Sequence, residues 1–167
     1  PTAEYLIAMT AVISHFSALR AIRRARRAYS ALPWSAINAE QQAQALAGCV
    51  PNKDAIDFAA LSMLDAWNED DSERLDLLVA DGNNRRPDER LLQHSITAPL
   101  PAGAIMHIEA DIYATSPAMT AMLYSRNEPV AKVLMLLMEL LGSYSLPPEA
   151  TYPIAHDDTW PKADSFK

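Results

Sequence analysis

An apolar run, Tyr5 to Ile13 (YLIAMTAVI), leads through Ser14 directly into a stretch, Ser14 to Tyr29, that contains no Gly and no Pro. This junction constrains the fold more than any other feature of the chain. A run so rich in branched apolar residues reads as a buried strand. A helix reading competes for it, because Ala8, Met9 and Ala11 favour helix. Ser14 to Tyr29 reads as a helix with Ser14 as its N-cap. A buried strand feeding an amphipathic helix must be covered by that helix and by further elements. With 167 residues the chain can bury roughly two-thirds of its unfolded surface. A single thiol, Cys49, excludes an intrachain disulfide and a multi-cysteine zinc site.

The remaining elements follow from local signals. Ala31-Leu32-Pro33-Trp34 breaks the first helix. Asn38 with Gln41 three residues on has the form of a capping box, and Gly48 closes the helix that follows. Asn52 can cap the next, whose Ile56, Ala60, Met63, Leu64 and Trp67 recur at helical spacing. The period then changes. Leu75 to Ala80 (LDLLVA) reads as a buried strand stopped by Asp81-Gly82-Asn83-Asn84. Arg90 to Thr97 and Ala104 to Glu109 read as a hairpin across the loop 98–103, and Ile112 to Thr115 as a further short strand. Ser116-Pro117 is a helix start, with Ser as cap and Pro at the first helical position. The last helix, from Asn127-Glu128-Pro129 to Gly142, is apolar nearly all round, which places it in the centre of the core. The expected fold is α+β: a small, mostly antiparallel sheet of four to five strands packed by about five helices. One domain is expected over 1–145. The Pro-rich segment 146–167 reads as an irregular tail that could lead to a further C-terminal segment.

Charge is unevenly distributed. The net charge of −7 argues against a general nucleic-acid or membrane binder, and the longest unbroken apolar run, Val133 to Met138, is far too short to span a bilayer. One thiol and no secretory signal suggest a cytoplasmic protein. Yet Arg20, Arg23, Arg24, Arg26 and Arg27 supply 5 of the 14 basic residues within eight positions. At about 100° per residue, Arg20, Arg23, Arg24 and Arg27 form one stripe, opposite Leu19 and Ile22. That stripe is either a solvated face paired with acids elsewhere or a contact for nucleic acid or an acidic partner. Arg26 falls on the apolar side. It is expected to reach an acid, with Asp76, Glu109 and Asp111 as strand-borne candidates, unless its stem carries the charge out to water.

Few residues suggest chemistry. Ser14 and His15 are sequence neighbours whose side chains should point apart, so the pair reads as a helix start rather than a nucleophile and its base. His94 and His107 would face each other across the expected hairpin with Glu109 alongside, a set that either binds a metal ion or is an ordinary cross-strand pair. Asp76, Glu109 and Asp111 would be the carboxylates of a metal-dependent nuclease, but no lysine follows them at short spacing; Lys53 and Lys132 lie on helices. His156 sits in the tail. Cys49 reads as a small buried hydrophobe. No cofactor motif is present, and no catalytic or metal-ligating residue is assigned.

Three pieces, Val12 to Leu19 (VISHFSAL), Asp111 to Pro117 (DIYATSP) and Met138 to Tyr144 (MELLGSY), taken in that order, resemble bacterial proteins related to the AbiEi-type antitoxin of abortive-infection systems. Some of those relatives carry a C-terminal segment resembling a very-short-patch-repair endonuclease. Antitoxins of this kind usually add an N-terminal winged helix; the first element of this sequence is the apolar run at Tyr5. The resemblance implies a phage-defence or regulatory role in a bacterial cytoplasm. It assigns structural roles to Ser14, His15, Ser116, Pro117, Glu139, Gly142 and Tyr144, as helix caps and a helix end. The expected function is thus a non-catalytic recognition or regulatory domain whose basic helix, through Arg20, Arg23, Arg24 and Arg27, contacts nucleic acid or an acidic partner. A metal-dependent nuclease-like domain and a plain homo-oligomerisation scaffold are the alternatives.

Overall fold

Every residue of Ala11–Ile13 (β1) is buried, as a strand covered on both faces requires. The computed structural model describes residues 10–29, 31–49, 56–68, 74–85, 88–126 and 128–140; the apolar run before Thr10, Asn52, Lys53 and the tail with His156 lie outside them. After β1 come His15–Ala28 (α1), Ser35–Ala36 (β2), Ala39–Gly48 (α2), Phe58–Met63 (α3), Leu75–Val79 (β3), Leu91–Ser95 (β4), Ile105–Glu109 (β5), Ile112–Thr115 (β6), Pro117–Ser125 (α4) and Val130–Leu140 (α5).

The strands form one six-stranded sheet in the order β2-β5-β6-β1-β3-β4. Pairs β2–β5, β5–β6 and β1–β3 are antiparallel, and β1–β6 and β3–β4 are parallel. Among the described residues the fold is therefore α+β, with a mostly antiparallel sheet and five helices. The strand beyond the expected five is β2, two residues directly after the helix break at 31–34. Alternation splits the core. Ala11, Ile13, Leu75 and Leu77 meet Leu19 and Ile22 of α1, Leu61 of α3, Ala121 of α4 and Leu136 of α5. Val12, Leu78 and Ile105 meet Ala45 of α2 and Cys49 on the other face.

Two helix starts match their sequence signals, whereas α3 begins at Phe58 with Asp57 as its cap, later than the start expected from Asn52. Asn38 and Gln41 make both bonds of the capping box, and Ser116 accepts from the Met119 N–H ahead of a Pro at the first turn. Gly48 is required for a reason other than turn conformation: a Cβ there would come 2.8 Å from Thr10 Oγ1. Cys49 is fully buried, and burial pushes its thiol up to about 11, so it packs as a hydrophobe.

Two expectations are corrected. The segments 90–97 and 104–109 do not form a hairpin. β4 pairs in parallel with β3 at one edge of the sheet, while β5 pairs with β6 and β2 near the other. The hairpin present is β5–β6, which turns through Ala110 at φ 43° with an irregular register between His107 and Glu109. Nor is α5 central. Leu136 and Leu140 are buried, but Val130, Leu134, Met135 and Leu137 are exposed. The helix lies over one flank of the core because α1 and α4 already cover the sheet there.

Candidate functional site

The strand-to-helix turn between β1 and α1 builds an unusual corner. Ser14 is extended and fully buried, and its N–H donates to the Asp76 carbonyl at 2.9 Å. His15 then takes φ 46°, a left-handed conformation that a non-glycine residue adopts at some cost in strain. The Ser14 hydroxyl does not cap α1. It lies 3.0 Å from His15 Nδ1. The two side chains therefore meet rather than point apart, in a corner where the chain leaves extended backbone for a left-handed residue.

Two strands bring the partners of His15. In the parallel β3–β4 register, Asp76 faces Leu92 and Leu78 faces His94, so Asp76 and His94 lie on the same side of the sheet, two residues out of step. Asp76 Oδ1 is 2.7 Å from His94 Nε2. Asp76 Oδ2 accepts the Ser17 N–H at 3.4 Å, and the Asp76 N–H donates to Ser17 Oγ at 3.0 Å. A carboxylate at the first turn of a 14-residue helix is also favoured by the helix dipole. The His15 and His94 rings stack with centroids 3.7 Å apart. One ligand-capable atom each from His15, Asp76 and His94 lies within 4.8 Å of the others.

The corner opens into a cleft of about 240 Å³ lined by His15, Arg85, His94, Ser95, Ile96, Leu123 and Arg126. Arg85, from the turn after β3, donates to Ser95 Oγ at 3.0 Å, and Arg126 ends α4; both side chains are exposed. A larger cleft of about 520 Å³ lies elsewhere, lined by Thr10, α2, β2, His107 and Tyr113. Among the described residues it has no charged lining side chain and one histidine, so the smaller cleft is the better equipped for chemistry.

His15 is pushed down from its ordinary 6.5 to about 4, first by burial, then by the facing His94 and by Arg126, with Asp76 acting in the opposite direction. It is neutral at pH 7. The unfolded chain protonates this ring below about 6.5 and the folded protein only near 4, so the unfolded state binds more protons between those values and stability falls as pH drops through that window. The loss should reach about 1–2 kcal/mol once solvent screening of the partly exposed ring is allowed for. Urea denaturation at pH 7 and pH 5 should show His15→Gln losing less stability than the wild type over that interval. Equal losses would dissociate His15 from the pH dependence.

The arginine stripe divides. Arg20 pairs with Asp65 at 2.9 Å, and Arg23 grips Glu139 of α5 through two bonds of 2.8 and 2.9 Å. Arg24 and Arg27 are exposed. In-chain acids thus hold two of the four arginines, and the outward face keeps the other two. Arg26 reaches none of Asp76, Glu109 or Asp111. It donates to the Glu139 carbonyl at 2.9 Å and the Leu140 carbonyl at 2.6 Å, satisfying the exposed carbonyl end of α5.

The expected metal and nuclease sets are not assembled. His94 and His107 stand on strands separated by three others. His107 Nε2 binds the Ala110 carbonyl at 2.8 Å, and Glu109 is exposed. Asp111 lies beside Ala11 at the start of β1, whereas Asp76 lies beside Ser14 past its end. Lys132 pairs with Glu128 along the surface at the start of α5. The grouping that does form, His15–Asp76–His94, takes one member from each of three separate sequence signals. Its one legible clue is the placement of His15 at a strand-to-helix junction, where side chains gather at the end of a sheet. Comparisons with protein-family models, curated proteins and solved structures give no match.

Proposed function

We propose that this chain is a non-catalytic recognition domain of a bacterial defence or toxin–antitoxin type protein. Its cleft beside the β1–α1 corner takes one or two phosphate groups of a nucleic-acid strand. The observation that carries this reading is the convergence of Arg85 and Arg126, from two distant parts of the chain, on a cleft that also presents His15, His94 and Ser95. Two guanidinium forks and a hydroxyl suit a tetrahedral oxyanion. The net charge of −7 disfavours tracking along an extended backbone, so the contact should involve few phosphates and a salt slope of about −1 to −2. The likeness of the VISHFSAL, DIYATSP and MELLGSY pieces to AbiEi-type antitoxin relatives supports the defence setting.

Fluorescence anisotropy with 5′-phosphorylated and unphosphorylated oligonucleotides tests the reading. The phosphorylated strand should bind more tightly, and inorganic phosphate should compete. Arg85→Glu with Arg126→Glu should weaken binding by about 100-fold, the scale set by removing two charge-assisted hydrogen bonds. Arg24→Glu with Arg27→Glu should change it less than threefold, by the small effect of exposed charges. The opposite pattern would move the contact to α1, and equal affinity for all variants would sink the proposal.

A further inference from the structure

We infer that His15, Asp76 and His94 form a site for one first-row divalent transition-metal ion of the zinc class. Two imidazoles and one carboxylate suit zinc and its neighbours and disfavour magnesium or calcium, which need more oxygen ligands. The three candidate ligand atoms already lie within 4.8 Å of one another. They are carried by two adjacent strands and the turn between β1 and α1, so the fold already brings the three residues together.

The groups behind the ligands strengthen the assignment. A metal-bound histidine ordinarily donates its second ring N–H to a neighbouring acceptor, which fixes the ring. Ser14 Oγ, 3.0 Å from His15 Nδ1, can accept that hydrogen and leave the lone pair on Nε2 for the ion. Asp76 is held from behind at Oδ2 by the Ser17 N–H, so that Oδ1, the oxygen beside His94, is the one turned to the site. The strained φ of His15 places its ring against His94 at this point rather than along the α1 surface.

Ligation requires the His15 and His94 rings, stacked with centroids 3.7 Å apart, to turn out of parallel so that both in-plane lone pairs aim at one ion. Asp76 Oδ1 and His94 Nε2, now 2.7 Å apart, must open to about 3.3 Å to flank a tetrahedral ion at ordinary bond lengths. Where a neutral His94 carries its hydrogen on Nε2, the ring changes tautomer through solvent, giving up that proton and taking one on Nδ1, so that the Nε2 lone pair binds the ion with no net proton lost. The three residues leave a fourth position for water or an anion. Only the identity of that fourth ligand rests on the phosphate reading; the metal site does not depend on it.

Calorimetric titration of the full chain with ZnCl₂, after chelator treatment, tests the inference. One equivalent of zinc should bind. His94→Gln and His15→Gln should each weaken it by about 100-fold, the scale set by losing one of three protein ligands, while His107→Gln leaves it unchanged. Gln at position 94 can still donate to Asp76, and thermal melts of the metal-free variants report whether the fold survives. Zinc binding that is absent, or unaffected in the His15→Gln/His94→Gln double variant, would overturn the assignment. Arg85→Ala with Arg126→Ala separates the two readings. It should abolish phosphate competition and keep zinc binding. Phosphate binding without zinc would refute the metal site alone, and zinc binding without phosphate would refute the anion reading alone.

Discussion

Replacing Asp76 with alanine is expected to lower the unfolding free energy by about 2–4 kcal/mol, measured by urea denaturation at pH 7. Asp76 is 6% exposed and sits where three elements meet. Its carboxylate accepts from the first turn of α1 through the Ser17 N–H and meets His94 on β4, while its own N–H is taken by Ser17 Oγ. Alanine would leave the buried Ser17 N–H without its acceptor, would release His94 Nε2 to the cleft, and would add a small void. Asp76→Asn should cost less, because one oxygen acceptor and the shape remain. A loss below about 1 kcal/mol for alanine would mean that the corner is held by packing alone.

Gln42→Leu is expected to cost about 1–3 kcal/mol by the same measurement. This side chain is 2% exposed and bridges α2 to the opposite part of the chain. Its Nε2 donates to the Pro101 carbonyl at 3.1 Å, and its Oε1 accepts the Ile105 N–H at 2.8 Å. Leucine has nearly the same volume, so packing would change little while the buried Ile105 N–H lost its acceptor; the carbonyl of the exposed Pro101 keeps its bond from the Ala104 N–H. Buried polar groups left unpaired carry the full desolvation penalty. A near-neutral result would require the Ile105 N–H to find water, visible as faster amide exchange at that residue.

The helix boundaries show what short-range chemistry can specify. The expected helix over 14–29 matches α1, the Asn38–Gln41 box starts α2, and Ser116-Pro117 starts α4. Each of these signals joins residues within about one helical turn. Helical spacing also places Leu19 and Ile22 in the core, where they lie. The strands are legible as apolar runs, but their partners are not. Arg90 to Thr97 and Ala104 to Glu109 are close in sequence and joined by a plausible loop, yet they stand near opposite edges of the sheet. Apolar patterning specifies which face of a strand is buried, and leaves open which neighbour completes its hydrogen bonds. The all-round apolar character of α5 likewise does not reveal that α1 and α4 cover the sheet before it.

The candidate site is hidden for the same reason. His15, Asp76 and His94 are each visible in the sequence, but proximity along the chain matches His94 with His107 and groups Asp76 with Glu109 and Asp111. Likewise the acids that hold Arg20 and Arg23, Asp65 and Glu139, lie far along the chain. By itself the sequence determined the α+β class, the starts of α2 and α4, and the buried face of α1 at Leu19 and Ile22, because capping, turn and periodicity energies act between residues a few positions apart. Tertiary structure alone decided the strand order, the neutralisation of half the arginine stripe and the meeting of two histidines with a buried carboxylate. Those arrangements form only when closure of long loops is repaid by burying the whole sheet at once.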